Sequence, residues 1–486
     1  MDGHTDKGGH VTRRRSSLSR AVISLIREIC MLKLINELSD KPEWWHKVRD
    51  DEISSKWKKE AELRNKADLY EKTGFMPVYD YTTAVIKSDR ILTPGLSKAL
   101  QEGVRPLEDI PPEFKDWHPN SKEQVPDLVH PSLWPLIYGR SRVLDDRVID
   151  VDNAFASCGT GVVLRAPGSE QTTHIIGEGG FFEDEVVVLS NKFQWSPCDI
   201  ASYINNLHPQ EHAHLYPIIE QFIKKSLPTW DIIYERPIGK DEEPRYDVES
   251  WEEMLADGEE DDCEPDYYEL GTEKAEDYKT NPERRKLDDA YAKDHMRIQP
   301  SEVKANGFFN GSNQIQVIVK LANIHLTPEN PEYRGGSWHT EGLLNEHIVS
   351  TALYYYDSEN ITDCTLDFRT CADKEDLAAE ISYEQYRHNP IERTFDITLG
   401  GSIFQDIGSF KLADPMEPGH RKILALFLVD PAIPIISTSN VPPQQKHWWT
   451  THSAKKLRLS LMEERTSFKA EDESRFERVE WNFCEH

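Results

Sequence analysis

A chain of 486 residues, 38% hydrophobic and 10% aromatic with 12 Trp, can bury a sizeable core and is no disordered polymer. Its 57 Lys and Arg face 86 Asp and Glu, a formal net charge of −29, and a field of that sign repels nucleic-acid backbones and anionic membranes alike. Seven scattered cysteines without a Cys-x-x-Cys pair speak against a zinc ribbon or redox dithiol and suit a cytoplasmic protein, with the nucleus left open.

In chain order, residues 1–16 read as a disordered tail whose Arg13, Arg14 and Arg15 are a charged flourish rather than an address. From 17 to 38, Leu18, Val22, Leu25, Ile29, Leu32 and Ile35 recur at three- and four-residue spacing, which predicts an amphipathic helix. Arg27, Glu28 and Lys33 interrupt it, so it is no membrane span. Pro42, Trp44 and Trp45 mark a turn into further helix. The remainder of 17–140 is rich in proline, which breaks regular elements, and reads as wrapping structure. Residues 141–239 read as mixed strand and helix. The turn Cys158-Gly159-Thr160-Gly161 is no phosphate loop, because no Gly-Lys-Ser/Thr follows. His208, His212 and His214 open a helical stretch; with Pro209 between the first two they read as surface or capping residues rather than a zinc motif.

Residues 240–300 crowd Glu252, Glu253, Asp257, Glu259, Glu260, Asp261 and Asp262 together, a solvated acidic insertion without the spacing of a calcium loop. Beyond it the strand signal is strongest. Ile315, Val317, Val319 and Leu321 alternate with more polar neighbours, HIVSTALYYY follows from 347, and KILALFLV from 422 is nearly continuous apolar sequence. Antiparallel strands with helices outside predict an α+β protein on a double-stranded β-helix (jelly-roll) core over 301–460, then a C-terminal tail over 461–486.

The chemistry centres on YRGGSWHTEGLLN, residues 333–345. On an extended segment residues i and i+2 point the same way, so His339 and Glu341 can aim an imidazole nitrogen and a carboxylate oxygen at one point. That is how a 2-His-1-carboxylate iron face begins. Trp338 reads as core, Tyr354, Tyr355 and Tyr356 as alternating between core and surface, and Asn345 as a group that could orient the carboxylate.

GSWHTEGLLNEHIVSTALYYYDSENIT, KLADPMEPGHRKILALFLVDP, the Pro442-Pro443-Gln444-Gln445 segment, DKPEWWHKV and SYINNLHP together resemble a large fungal family of uncharacterised proteins. That family is similar to the iron(II)/2-oxoglutarate-dependent oxygenases. The resemblance covers most of the chain outside the acidic insertion. It implies that His339 and Glu341 ligate Fe(II) and that Arg421 pairs with the distal carboxylate of 2-oxoglutarate, a task suited to a planar guanidinium. It implies hydroxylase-type oxidation of a small-molecule or peptide substrate by a dioxygenase. One element departs from the pattern. The family of oxygenases places a second histidine shortly before the basic residue, yet GSIFQDIGSFKLADP holds none, as though a strand-sized piece were absent at Phe410-Lys411. His420 is the substitute ligand of choice, although neighbours on a strand face opposite ways. The expectation is therefore an impaired oxygenase, with a catalytically inactive jelly-roll binding or scaffold protein, or a cupin-like metal protein, as the alternative.

Overall fold

The computed structural model describes residues 38–39, 41, 43–50, 60–79, 84–176, 184–187, 189–234, 307–310, 315–335, 342–362, 410–444 and 452–476. The predicted helix over 17–38 and the acidic insertion fall almost wholly outside them. The protein is α+β. Its centre is a four-stranded antiparallel sheet of β1 (Asp127–Val129), β2 (Val317–Leu326), β4 (Ile348–Glu359) and β6 (Gly419–Val429), in the order β4-β6-β2-β1. A second pair, β3 (Glu332–Tyr333) with β5 (Phe410–Lys411), lies over one end of it. Among the described residues the sheets do not close into a barrel. The last strand, β6, fills the gap between β2 and β4. The edge strand β1 comes from the Pro-rich stretch that the sequence reads as wrapping.

The sheet has two faces because side chains alternate along each strand. On one, Val317, Val319, Leu321, Leu424, Leu426, Leu428, Tyr354 and Tyr356 pack against helices α1 (Pro94–Glu108) and α2 (Leu215–Tyr234). Thr93 caps α1, its hydroxyl accepting from the Leu96 amide at 3.3 Å, and Pro94 fills the first turn, where its missing N–H costs nothing. Gly103 lets α2 come close: a Cβ there would stand 2.8 Å from Leu215 Cδ2. A bulge between Tyr355 and Asp357 puts Tyr356 and Asp357 together on this helix face. The Tyr356 carbonyl accepts from Ser97 Oγ at 2.6 Å and Gln101 Nε2 at 2.8 Å, both on α1.

The opposite face carries Ile318, Lys320, Ala322 and Ile324 of β2, Arg421, Ile423, Ala425 and Phe427 of β6, and Thr351, Leu353 and Tyr355 of β4, in cross-strand register. One end is covered by Trp195 and by Leu461 of helix α3 (His452–Phe476), the other by Phe410 and Leu412. Between them Thr351, Leu353 and Tyr355 remain exposed. No described helix is long and apolar enough to cross a membrane.

Candidate functional site

Arg421 sits on the open face. Its register partners are Ile324 and Ser358, and its guanidinium lies 3.8 Å from the centre of the Tyr355 ring and 5.9 Å from that of Phe410. Stacking on an aromatic face holds a guanidinium flat while its edges stay able to donate. Phe410 in turn meets Tyr333 with ring centres 5.3 Å apart, so Arg421 stands close to the end of β3. The segment bearing His339 and Glu341 departs from that end. Those two residues, with Trp338, lie outside the described residues. The glycines bracketing them do not: Gly335 and Gly342 have φ of 83° and 91°, a left-handed backbone that side chains with a Cβ avoid. A Cβ on Gly342 would also stand 2.6 Å from Ile348 Cδ1.

His420 points the other way. Its Nε2 lies 3.0 Å from Asp357 Oδ2 on the helix face, and its ring is 6.3 Å from that of its cross-strand partner His325. Lys422 joins this cluster, 3.2 Å from Glu108 Oε1 and 3.3 Å from Asp357 Oδ2. Burial pushes His325 down to about 4, with His420 adding to the effect. The alternation anticipated along β6 thus holds, and His420 and Arg421 serve different compartments. The histidines at 208–214 do cap and pack: His208 Nδ1 accepts from the Glu211 amide at 3.1 Å, and His214 Nε2 lies 2.9 Å from the Gly103 carbonyl. Asn345 is buried and its Nδ2 donates to the Phe193 carbonyl at 3.0 Å; Glu341, which it was expected to orient, lies outside the described residues. Tyr354 and Tyr356 are buried and Tyr355 is exposed, as the alternation predicts.

A second polar centre, which sequence reasoning missed, lies at the β1 edge. His118, Asp127 and His130 bring one ligand-type atom each to within 4.8 Å of the others, and among the described residues no other such triad exists. Asp127 is on the open face, since its register partner is Ala322. The set has the composition of an iron face, so its present bonds decide what it is. His118 Nδ1 lies 2.9 Å from Asp127 Oδ2, and Arg458 of α3 donates to the same oxygen at 3.1 Å. Burial opposes ionisation of Asp127, yet the hydrogen bond to His118 and the field of Lys320 help to outweigh it, and the carboxyl is held below its usual range. Burial pushes His130 down to about 3, so it is neutral. Its Nδ1 accepts from the Ser132 amide at 3.1 Å, which places its one proton on Nε2, the nitrogen a metal would need bare. With Arg458 and Lys320 already supplying positive charge, the triad reads as a charge-balanced lock and a poor metal site. The only sequence signal was a carboxylate three residues before a histidine, hidden among prolines.

The structure thus defines an α+β protein with one sheet face covered by two helices and a second face, covered at both ends and exposed along β4, that presents a stacked arginine. The chain belongs to the family described as "Protein of unknown function (DUF4246)", whose model matches residues 57–411 and 407–452, while the N-terminal domain of the same family matches 9–60. The two main segments meet at 407–411, where the sequence places its seam. No curated protein and no solved structure matched the chain.

Proposed function

We propose that this protein is an iron(II)/2-oxoglutarate-dependent oxygenase on a jelly-roll core, acting on a small-molecule or peptide substrate in the cytoplasm. The observation that carries the reading is the placement of Arg421: stacked on Tyr355 at the exposed β4 side of the sheet, beside the strand end from which the His339/Glu341 segment departs. The interleaving of β6 between β2 and β4 supports the jelly roll, in which a late strand returns between earlier ones. Arg421 fits the distal carboxylate of the co-substrate, since a guanidinium offers two parallel N–H donors. His339 and Glu341 would hold the iron, which with 2-oxoglutarate would supply the oxidising chemistry. The chain's own contribution is to fix the carboxylate at Arg421 and to line the approach with Thr351, Leu353 and Tyr355.

A second reading keeps the jelly roll and drops catalysis, leaving a binding or scaffold protein or a cupin-like metal protein. Two observations favour it: His420 faces away from Arg421, and the family match is divided at 407–411, where the missing histidine would fall. Anaerobic titration with iron(II) and 2-oxoglutarate separates the two. A weak visible charge-transfer band, with succinate production abolished in His339→Ala, supports the oxygenase. Absence of the band in the unaltered chain ends that reading.

A further inference from the structure

Helix α3 buries an unusual stripe. Ala454, Arg458, Leu461 and Arg465, spaced four, three and four apart, share one side of the helix, and the two arginines reach carboxylates far apart in the fold. Arg458, 3% exposed, grips Asp116 through two contacts, Nη1 to Oδ2 at 2.6 Å and Nη2 to Oδ1 at 3.0 Å. It also reaches Asp127 at 3.1 Å and the Trp117 carbonyl at 3.1 Å. Arg465 bonds Glu346 Oε1 at 2.6 Å and stacks 3.8 Å from the Trp195 ring centre. Glu346 is fully buried and also accepts from the Trp195 and Leu343 amides. Asp127 anchors the β1 edge, and Glu346 anchors the turn Leu344–Glu346 that leads into β4. One helix therefore holds both margins of the open face.

Taking Arg465 away leaves Glu346 buried without its bonded cation, and taking Arg458 away leaves Asp116 with only Lys455 of the same helix, at 3.6 Å; stranding a buried charge is far costlier than never having buried the pair. A helix with one anchor released keeps the second only by leaving a charge stranded on a rigid rod. We propose that α3 is a one-piece strap: Arg458 and Arg465 dock together and release together, and release uncovers the end of that sheet face where Leu461 packs on Ile318, Ala425 and Phe427, while the sheet persists. The proposal leans on the oxygenase reading only in treating that face as a ligand surface. Its test reads backbone exchange, so a failed iron titration leaves it standing.

Hydrogen exchange by mass spectrometry on the full chain compares the unaltered protein with Arg465→Met. Exchange is expected to rise roughly a hundredfold or more over 452–466 and also over 116–129, the distant anchor, while β2 and β6 keep their protection. A rise confined to 343–346 and the nearby turns of α3 would mean two independent pins and would overturn the strap. Glu346→Gln, which keeps side-chain volume and a hydrogen-bond acceptor and removes the charge, is read the same way if Arg465→Met does not fold. Loss of protection across β2 and β6 in both variants also counts against it, because a strap releases without melting the sheet.

Discussion

Arg421 and His420 are neighbours in the chain and strangers in the fold, and that one-residue step governs what each can do. If Arg421 holds a carboxylate, Arg421→Met should weaken 2-oxoglutarate binding by roughly ten- to a hundredfold, the worth of a charged hydrogen bond. Arg421→Lys should recover only part, since a point charge replaces a fork; calorimetry reads both, and unchanged affinity in the Met variant removes the ligand from this face. His130 makes a prediction of another kind. Its folded value of about 3 lies below the ordinary 6.5, so between those pH values the unfolded chain binds a proton that the folded one refuses. Stability should therefore fall as pH drops from about 6.5 toward 3, by up to roughly 1.4 kcal/mol per pH unit for this group. His130→Gln should flatten that part of the curve in urea titrations; parallel curves would mean that His130 takes up its proton without loss.

Among the elements, β6 carries the most, since it joins β2 to β4 and presents Arg421. Its first residue, Gly419, has no room for a side chain: a Cβ would stand 2.5 Å from the Asn360 carbonyl oxygen and 2.7 Å from Leu412 Cδ2. Gly419→Ala should cost about 1–3 kcal/mol, as overpacking does, and should loosen the strand beside Arg421; chemical denaturation gives the first and ligand affinity the second. A stability unchanged within about 0.5 kcal/mol, the scatter of surface substitutions, would show that the turn at 359–360 yields freely. The strands themselves were legible before any coordinates. Val317–Leu326, Ile348–Glu359 and Gly419–Val429 fall where β-branched and aromatic residues alternate or run together, because a half-buried strand imposes that period. The edge strand Asp127–Val129 was not legible, being three residues long amid prolines. The helix His452–Phe476 also escaped, because its buried side alternates arginine with apolar residues and looks polar throughout.

At the scale of the molecule, the net charge of −29 sets the field through which any ligand approaches. A dicarboxylate is repelled, so its association rate should rise as salt is raised from about 10 mM to 150 mM, over which the screening length shrinks from roughly 30 to 8 Å. Stopped-flow measurement of 2-oxoglutarate binding checks the sign; a rate that falls with salt would mean that the local field of Arg421 and Lys320 dominates the approach.

Composition and hydrophobic period by themselves determined that this is an α+β protein with a long antiparallel sheet, because a strand that buries one face must alternate and a helix must repeat every three or four residues. They did not mark Arg421, which stands between His420 and Lys422 at the head of an apolar strand and was singled out only by the family resemblance. Only the tertiary structure decided that His420 and Arg421 part company, that His118, Asp127 and His130 meet, and that two arginines of one helix grip carboxylates more than a hundred residues away. Such meetings depend on which strands pair and in what register, and a period read along the chain carries no record of that.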